Sequence, residues 1–231
     1  MPDVQTGTEG TIQYASGMSD SGIGLREIKK QMTRGAIADA ALKLALEHGL
    51  DRVTIEEIAR IAFVSPRTFS NYFSCKEEAV IASGARYWED VINGLADRPN
   101  SESPLEAMRS LLLAAVSDDK AEQLQFSAEK LQLSSRYPTL RPFETAQYSN
   151  LEDLLRESIA QRTGTDTERD LYPWLVATTV VGAMKAAMAL WLALGAEPGA
   201  LRDLVESAFD QVIDGLQPPA AQSPKSGVAR S

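Results

Sequence analysis

The chain has 231 residues, of which 44% are hydrophobic and 24% are charged, the proportions of an ordinary soluble globular protein. Its 23 basic and 32 acidic residues give a net charge of −9, and it contains one cysteine and one histidine. This composition excludes an intrachain disulfide framework and any zinc site that needs several Cys or His ligands from one chain. We therefore predict a protein of the reducing cytoplasm that holds no metal and no cofactor.

Charge is divided unevenly along the chain. Residues 25–86 include ten basic and eight acidic residues, a net charge of +2, whereas residues 87–231 include 13 basic and 21 acidic residues, a net charge of −8. A short basic segment on an acidic body is typical of a nucleic-acid-binding head attached to a domain that does not bind nucleic acid.

Both ends of the chain predict disorder. Residues 1–24 are rich in Gly, Ser and Thr and lack the apolar run between basic flanks that marks a signal peptide. Residues 217–231 hold three prolines among small polar residues. Because nothing before it looks structural, Met18 is a candidate start of the protein.

Between these tails the apolar residues repeat at helical steps of three and four. Thr54 and Glu57 have the spacing of a capping box, and Ser65-Pro66 has the pattern of a helix start. No alternating strand pattern and no nucleotide-binding glycine motif occurs, so we predict an all-α protein with about nine helices. The predicted helices cover about residues 25–48, 54–61, 66–73, 75–96, 104–117, 119–135, 139–162, 168–195 and 199–216.

The predicted helix 168–195 is apolar on every side, and its only charged residue after position 170 is Lys185. Its length would span a bilayer, but a central lysine costs about 2.5–3.5 kcal/mol on insertion scales. We favour burial between subunits, because Gly182 and Ala186 would let a second helix approach closely. The sequence therefore predicts a homodimer built on this helix and on 199–216.

Residues 53–80, VTIEEIARIAFVSPRTFSNYFSCKEEAV, predict two short helices with a tight connection, followed by a third helix. Six apolar residues can form one small core: Ile55, Ile58, Ala59, Val64, Phe69 and Phe73. The second short helix then exposes short polar groups, one arginine and one aromatic hydroxyl: Ser65, Arg67, Thr68, Ser70, Asn71 and Tyr72. This helix-turn-helix pattern suits the major groove of DNA.

Individual residues have expected roles in that groove. Arg67 can reach guanine edges, and Asn71 can reach bases or phosphate. Thr54 and Lys76 stand at helix N-termini, where they can meet a phosphate. Arg34, with its basic neighbours in the first helix, could add phosphate contacts, although a solvated run of charge is the alternative explanation.

Together with RGAIADAALKLALEHG at residues 34–49, this segment resembles the DNA-binding domain of TetR-family transcriptional regulators. The resemblance covers about residues 25–80 and implies a three-helix head, a connecting helix and a C-terminal domain that dimerises and holds a small-molecule inducer. It also implies specific roles for residues of the head. Arg67, Thr68 and Asn71 would face the groove of a palindromic operator, Tyr72 would lie against the DNA backbone, and Lys76 would begin the fourth helix.

Two residues depart from the family's pattern. Phe63 stands where the turn often has glycine, and we expect its side chain to pack beside the turn. Cys75 stands where the fourth helix often has a serine N-cap, so we expect a weaker cap or a shift of the cap to Ser74. A redox switch at Cys75 is disfavoured, because the chain has no second cysteine to resolve it.

The C-terminal body offers large apolar residues that could line a cavity or could simply form a helical core. The candidates for ligand contact are Trp88, Met108, Leu112, Phe126, Phe143, Tyr148, Trp174 and Met184. No cluster of arginines for a bare phosphate is evident, so we expect an apolar or amphipathic effector. Over residues 162–194, a TGTD turn before a long Trp- and Ala-rich helix resembles actinobacterial TetR-like regulators that bind fatty acyl or acyl-CoA ligands.

These observations predict a helix-turn-helix domain over residues 25–80 and a ligand-binding and dimerisation domain over 81–216, between disordered tails at 1–24 and 217–231. The function they favour is a ligand-responsive DNA-binding regulator, a repressor that its ligand releases from the operator. No residue set supports catalysis. Two alternatives stay open: a helical adaptor that lacks DNA binding, and an enzyme that uses carboxylates of the C-terminal cavity.

Overall fold

A computed structural model describes residues 24–197 and 199–216 of the chain. The described residues form helices and no β-strand, as the periodicity predicts. The predicted tails, apart from Gly24, and the candidate start at Met18 lie outside the described residues.

Four helices form the N-terminal head: α1 (Leu25–His48), α2 (Ile55–Ile61), α3 (Pro66–Ser70) and α4 (Lys76–Ala82). The predicted capping box at the start of α2 is present, because Thr54 and Glu57 each bond to the other's backbone N–H. α3 is shorter than predicted. Residues 71–73 follow it as turns whose N–H groups bond to the carbonyls of Thr68 and Phe69.

Six helices form the body: α5 (Ala85–Asn93), α6 (Pro104–Ala115), α7 (Ala121–Arg136), α8 (Arg141–Thr163), α9 (Leu171–Ala193) and α10 (Ala200–Ile213). The described residues thus contain ten α-helices, where about nine are predicted. The difference arises because the predicted helix 75–96 is broken at Ser83 and Gly84. Gly84 has a φ of 75°, a left-handed conformation that glycine adopts without the penalty paid by other residues.

Apolar side chains pack into two cores. The head core lies between α1 and α4 and encloses Ile37, Ile58 and Phe69 completely. The body core lies between α5, α6, α8, α9 and α10, and Leu124 and Ala128 of α7 also belong to it. Leu133 of α7 and Leu140 just before α8 belong to the head core, so the body packs directly against the head.

α9 is buried on one side and uncovered on the other. Within the described residues it is the helix whose length and composition would allow it to cross a membrane, with a mean hydropathy of 1.7 in its most apolar window. It packs against α8 and α10 and supplies much of the body core. Its opposite side exposes Leu171 and Leu175, and a Cβ at Gly182 would meet open space. Leu190 and Leu194 are exposed near the C-terminal end of the helix. The helix therefore presents a largely apolar surface that the described part of the chain leaves uncovered.

Candidate DNA-binding surface and effector cavity

The predicted recognition surface lies on α3 and the turn that follows it. Arg67 and Asn71 are exposed, and Tyr72 is half-buried. Beneath them Phe69 and Phe73 are buried, with their ring centroids 5.8 Å apart. α3 therefore rests on an aromatic core and presents its polar side chains to solvent.

Three of the predicted contact residues hold helix starts in place. Ser65 Oγ accepts a hydrogen bond from the Thr68 N–H at 3.0 Å and lies 2.8 Å from Thr68 Oγ1. Thr54 Oγ1 donates to Glu57 Oε2 at 2.9 Å, and the hydrogen bonds from Thr54 lower the pKa of the Glu57 carboxyl. Because the Thr54 hydroxyl hydrogen is used, a phosphate at this helix start would have to meet free backbone N–H groups.

The turn between α2 and α3 differs from the expectation. Phe63 is 97% exposed, so the predicted packing of its ring beside the turn is wrong. Its φ is 55°, and the N–H of the next residue, Val64, bonds back to the carbonyl of Ala59 at 2.9 Å. This is the C-terminal closure of a helix that usually places glycine in the left-handed position. Phe63 thus combines an unfavourable backbone conformation with an uncovered ring.

Arg34 braces the recognition segment from α1. Its Nη1 donates to the carbonyl of Tyr72 at 2.9 Å, and its guanidinium carbon lies 4.2 Å from the ring centroid of Phe73. Both contacts hold the chain that leaves α3. The phosphate contact predicted for Arg34 stays a prediction, since this guanidinium already has a structural role.

The start of α4 is held by its lysine and not by a side-chain cap. Cys75 occupies the N-cap position without a capping hydrogen bond, and the Ser74 hydroxyl donates to Glu78 Oε2 at 2.7 Å. Lys76 Nζ donates to the carbonyls of Leu50 at 2.8 Å and Val53 at 3.0 Å. Lys76 therefore ties α4 to the segment that precedes α2, and its predicted phosphate contact is untested.

A cavity of about 90 Å³ lies in the body, lined by α5 to α9 and by the last turn of α4. Its walls are mostly apolar. Five of the eight predicted ligand-contact residues line it: Trp88, Met108, Leu112, Tyr148 and Met184. A cavity of about 150 Å³ can hold benzene, so a larger ligand would have to widen this one.

The other three predicted ligand-contact residues lie elsewhere, which corrects the prediction. Phe126 is 47% exposed and lies in a groove beside α1, and Phe143 lines a separate groove between α4, α5 and α8. Trp174 is 48% exposed, its Nε1 donates to the carbonyl of Thr167 at 2.7 Å, and Arg156 lies 3.9 Å from its ring. Aromatic character alone does not say which face of a helix points inward.

Polar residues also line this cavity, and sequence reasoning did not identify them. They are Ser127, Lys130 and Ser134 of α7 and Glu144 and Gln147 of α8. Positions 127, 130 and 134 are spaced by three and four residues, so they share one helix face. Polar residues recurring at that spacing, on the face that also holds an inward leucine, are the signal that could have revealed them.

Lys130 joins the cavity to the head. Its Nζ donates to the carbonyls of Ile81 at 3.2 Å and Ser83 at 2.6 Å, at the C-terminal end of α4. The Ser83 hydroxyl in turn donates to Asp39 Oδ1 of α1 at 2.8 Å. Burial lowers the pKa of Lys130 to about 8, against the opposing attraction of Glu144 and Asp39. A continuous hydrogen-bonded path thus runs from the cavity wall to α1.

Tyr148 of α8 also lines the cavity. Burial raises the pKa of Tyr148 to about 12, and the charge of Glu144 and the hydrogen bond to its carboxylate add to the shift. Tyr148 is therefore a neutral donor at physiological pH. Within the described residues, no group of three or more His, Cys, Asp or Glu side chains is placed to hold a metal ion.

Comparison with known families matches both parts of this architecture. The family model of bacterial regulatory proteins of the tetR family matches residues 37–82, and the model of the MftR C-terminal domain matches residues 102–217. The chain belongs to the TetR family of transcriptional regulators. Its matched head contains α2, α3 and α4, and its matched body extends from the loop before α6 through α10.

Two relatives of this TetR-family regulator have the names of transcriptional regulators. TcmR of Streptomyces glaucescens is 29% identical over 203 residues, which span 86% of this chain and 88% of that protein. The mycofactocin biosynthesis transcriptional regulator MftR of Mycobacterium tuberculosis is 28% identical over 189 residues, which span 81% of this chain and 93% of that protein.

Solved structures share the fold. A TetR-family regulator from Syntrophomonas wolfei has a TM-score of 0.56 at 17% identity and covers 81% of this chain and 98% of its own. FadR of Thermus thermophilus, solved in complex with lauroyl-CoA, has a TM-score of 0.51 at 22% identity and covers 84% of this chain and 100% of its own. At these identities the likeness extends to the fold alone.

Proposed function

We propose that this regulator is a homodimeric repressor that binds a palindromic operator through α3 and leaves it when a small apolar or amphipathic ligand enters the body cavity. The observation that carries the proposal is the path from the cavity to the head. Lys130 in the cavity wall holds the last carbonyls of α4, and Ser83 at that end of α4 holds Asp39 of α1. A regulator of this kind acts on the chromosome, hence in the cytoplasm.

The proposed base-reading residues are Arg67, Thr68 and Asn71, since their side chains stand on the outer side of α3 or directly after it. Ser65 and Tyr72 flank them and would contact the DNA backbone. Thr54, Arg34 and Lys76 are proposed to act mainly by fixing this surface, because each lies outside α3 and bonds to another residue of the head. We retain residues 25–80 as the DNA-binding domain and 81–216 as the ligand-binding and dimerisation domain.

The proposed dimer places the uncovered side of α9 against the same side of a second copy. Leu171 and Leu190 are exposed near opposite ends of the helix, and Gly182 lies between them with open space above its Cα. On α10, Ile213 is 51% exposed and extends the apolar surface. A two-fold dimer of this kind presents two α3 helices to successive major grooves, which is the arrangement that reads a palindrome.

The proposed release follows from the size of the cavity. A ligand that needs more than about 90 Å³ has to move the walls apart, and α7 carries Lys130 with it. Displacing Lys130 removes the support for the end of α4 and changes how the head is held. The ligand can shift the regulator away from DNA only if it binds that displaced arrangement more tightly.

The mostly apolar lining supports an apolar ligand, and the described residues that line the cavity include no arginine to hold a bare phosphate. The lauroyl-CoA in Thermus thermophilus FadR keeps fatty acyl chains among the candidate ligands. The test is a thermal-shift screen of fatty acids, acyl-CoAs and aromatic amphiphiles, followed by competition with operator DNA. We expect stabilisation by apolar compounds and weaker DNA binding in their presence; stabilisation by small sugars or phosphates alone would contradict the proposal.

A further inference from the structure

Ser134 is a buried polar group whose hydrogen-bonding capacity is unused. Its side chain lines the cavity, the residue is 4% exposed, and its Oγ has no hydrogen-bond partner in the described part of the chain. Buried hydroxyls in folded proteins usually have a partner, because an unpaired one loses its bonds to water without replacement. A hydroxyl left unpaired in a cavity wall is therefore suited to a ligand that supplies the partner.

The groups around this hydroxyl are unfavourable for a charged ligand group. Lys130 is positive, and the carboxylates of Glu144 and Asp39 already attract it. A ligand carboxylate would add a third negative charge around one ammonium group, and a ligand ammonium would face Lys130 at a site with little water. An uncharged group that both donates and accepts hydrogen bonds avoids the electrostatic cost of either charged group. It can bond to Ser134 and also to the acceptor or donor atoms of Gln147, which lines the same cavity.

The rest of the cavity favours a compact and flat apolar body. Trp88, Met184 and Met188 line it, and thioether and indole groups pack well against an aromatic ring. With a volume of about 90 Å³, the cavity requires less widening for a single ring with a short side chain than for a long extended chain.

We infer that the effector is a compact apolar molecule with one uncharged hydroxyl or carboxamide group, and that this group binds Ser134 between Lys130 and the start of α8. The inference rests on the proposed function, because it assigns the ligand class of the same cavity. It goes further by naming the group that the cavity selects and the side chain that selects it.

Three compounds with one body and different groups test the inference on the full-length dimer: 4-propylphenol, propylbenzene and 4-propylbenzoate. Calorimetric titration should show that 4-propylphenol binds most tightly. Ser134→Ala should weaken its binding about three- to tenfold, the value of one neutral hydrogen bond, and should leave propylbenzene unaffected. Ser135→Ala is the matched control, because Ser135 is exposed and its Oγ donates to the carbonyl of Leu131. It should change neither affinity.

A second measurement separates a ligand-binding role from a structural one. Without ligand, Ser134→Ala should leave the melting temperature unchanged or raise it, since it removes an unpaired buried hydroxyl. A clear fall would mean that the hydroxyl supports the fold and would overturn the inference. The inference would also be overturned if 4-propylbenzoate bound more tightly than 4-propylphenol, or if Ser134→Ala affected the binding of all three compounds equally.

Operator binding, measured with the same compounds, distinguishes failure of the inference from failure of the proposed function. If bound compounds weaken operator binding without preference for the hydroxyl, the inference fails and the proposed function stands. If none of them binds while fatty acids or acyl-CoAs weaken operator binding, the inference likewise fails and the proposed function stands. If neither set of compounds binds, or if bound compounds leave operator affinity unchanged, the proposed function fails and the inference fails with it.

Discussion

At the scale of single residues, Phe63 combines a left-handed backbone with an exposed aromatic ring. Its φ of 55° costs a residue with a side chain about 1–2 kcal/mol relative to ordinary helix geometry. The ring recovers little of this cost, because it is 97% exposed. Strain of this kind persists when the surroundings impose it, and here the imposed element is the tight turn between α2 and α3.

Phe63→Gly is therefore expected to stabilise the protein by about 1 kcal/mol, less the entropy that glycine adds to the unfolded chain. Phe63→Ala is the matched control, because it removes the ring and keeps a Cβ at positive φ. Urea unfolding should show a gain for glycine that alanine lacks. If the two substitutions changed the free energy of unfolding equally, the exposed ring, and not the backbone conformation, would be the source of the destabilisation.

Arg67 is expected to read sequence. Arg67→Ala should cost about 1–3 kcal/mol of operator affinity and relax the preference at one base pair in each half-site, since arginine can bond to guanine with two hydrogen bonds. Arg86→Ala is the control for charge alone: Arg86 is exposed on α5, away from α3, and pairs with Asp90. Binding to a library of operator variants should show relaxed preference for Arg67→Ala only. If Arg67→Ala kept the wild-type base preference, Arg67 would not be a base-reading residue.

At the scale of helices, the sequence predicts most of the architecture, because caps and periodicity are local. The capping box at Thr54 and the proline start of α3 are both where the pattern places them. The break at Gly84 was missed, since one glycine within a long apolar pattern is compatible with a continuous helix. The polar lining of the cavity was missed for another reason. Whether Lys130 points into a core or into water depends on the packing of α7 against α1 and α9, which no local pattern records.

Lys130 of α7 should make the free energy of unfolding depend on pH. Its pKa in the folded protein is about 8, below the ordinary value of 10.5, so between these values the unfolded chain binds more protons than the folded one. The free energy of unfolding should therefore rise with pH from about 8 to 10.5, as the cost of the buried charge is relieved.

Lys130→Met removes the titrating group and keeps a chain of similar length, so it is the reference for this effect. Denaturant unfolding at several pH values should show that the difference between wild type and Lys130→Met shifts in favour of the wild type across this window. Glu144 and Asp39, the charged groups that act on Lys130, are present in both proteins. A difference that stays flat or falls with pH would contradict the burial of this ammonium.

At the scale of the whole molecule, the proposed dimer covers the exposed side of α9. Gly182→Glu should separate the subunits, because it places a bulky charged side chain at the small residue where the two copies of α9 would pack closely in the proposed dimer. Gly35→Glu is the matched control: it is also a helical glycine with open space at Cβ, on α1. Sedimentation should show monomers for Gly182→Glu and dimers for Gly35→Glu. A wild-type monomer that binds a palindrome tightly would rule out this assembly.

The most direct test of the account measures operator affinity with and without ligand, in the wild type and in Lys130→Met. The DNA upstream of the regulator's own gene is searched for an inverted repeat, and a duplex with that repeat is used for the measurement. Its binding is followed by fluorescence anisotropy at fixed salt, since affinity for DNA depends on salt. The wild type should bind the duplex and lose affinity when the ligand is added. Lys130→Met should still bind the ligand but lose much less operator affinity, because the link between the cavity and α4 is gone. A wild type that does not bind duplex DNA, or an equal loss of affinity in both proteins, would contradict the account.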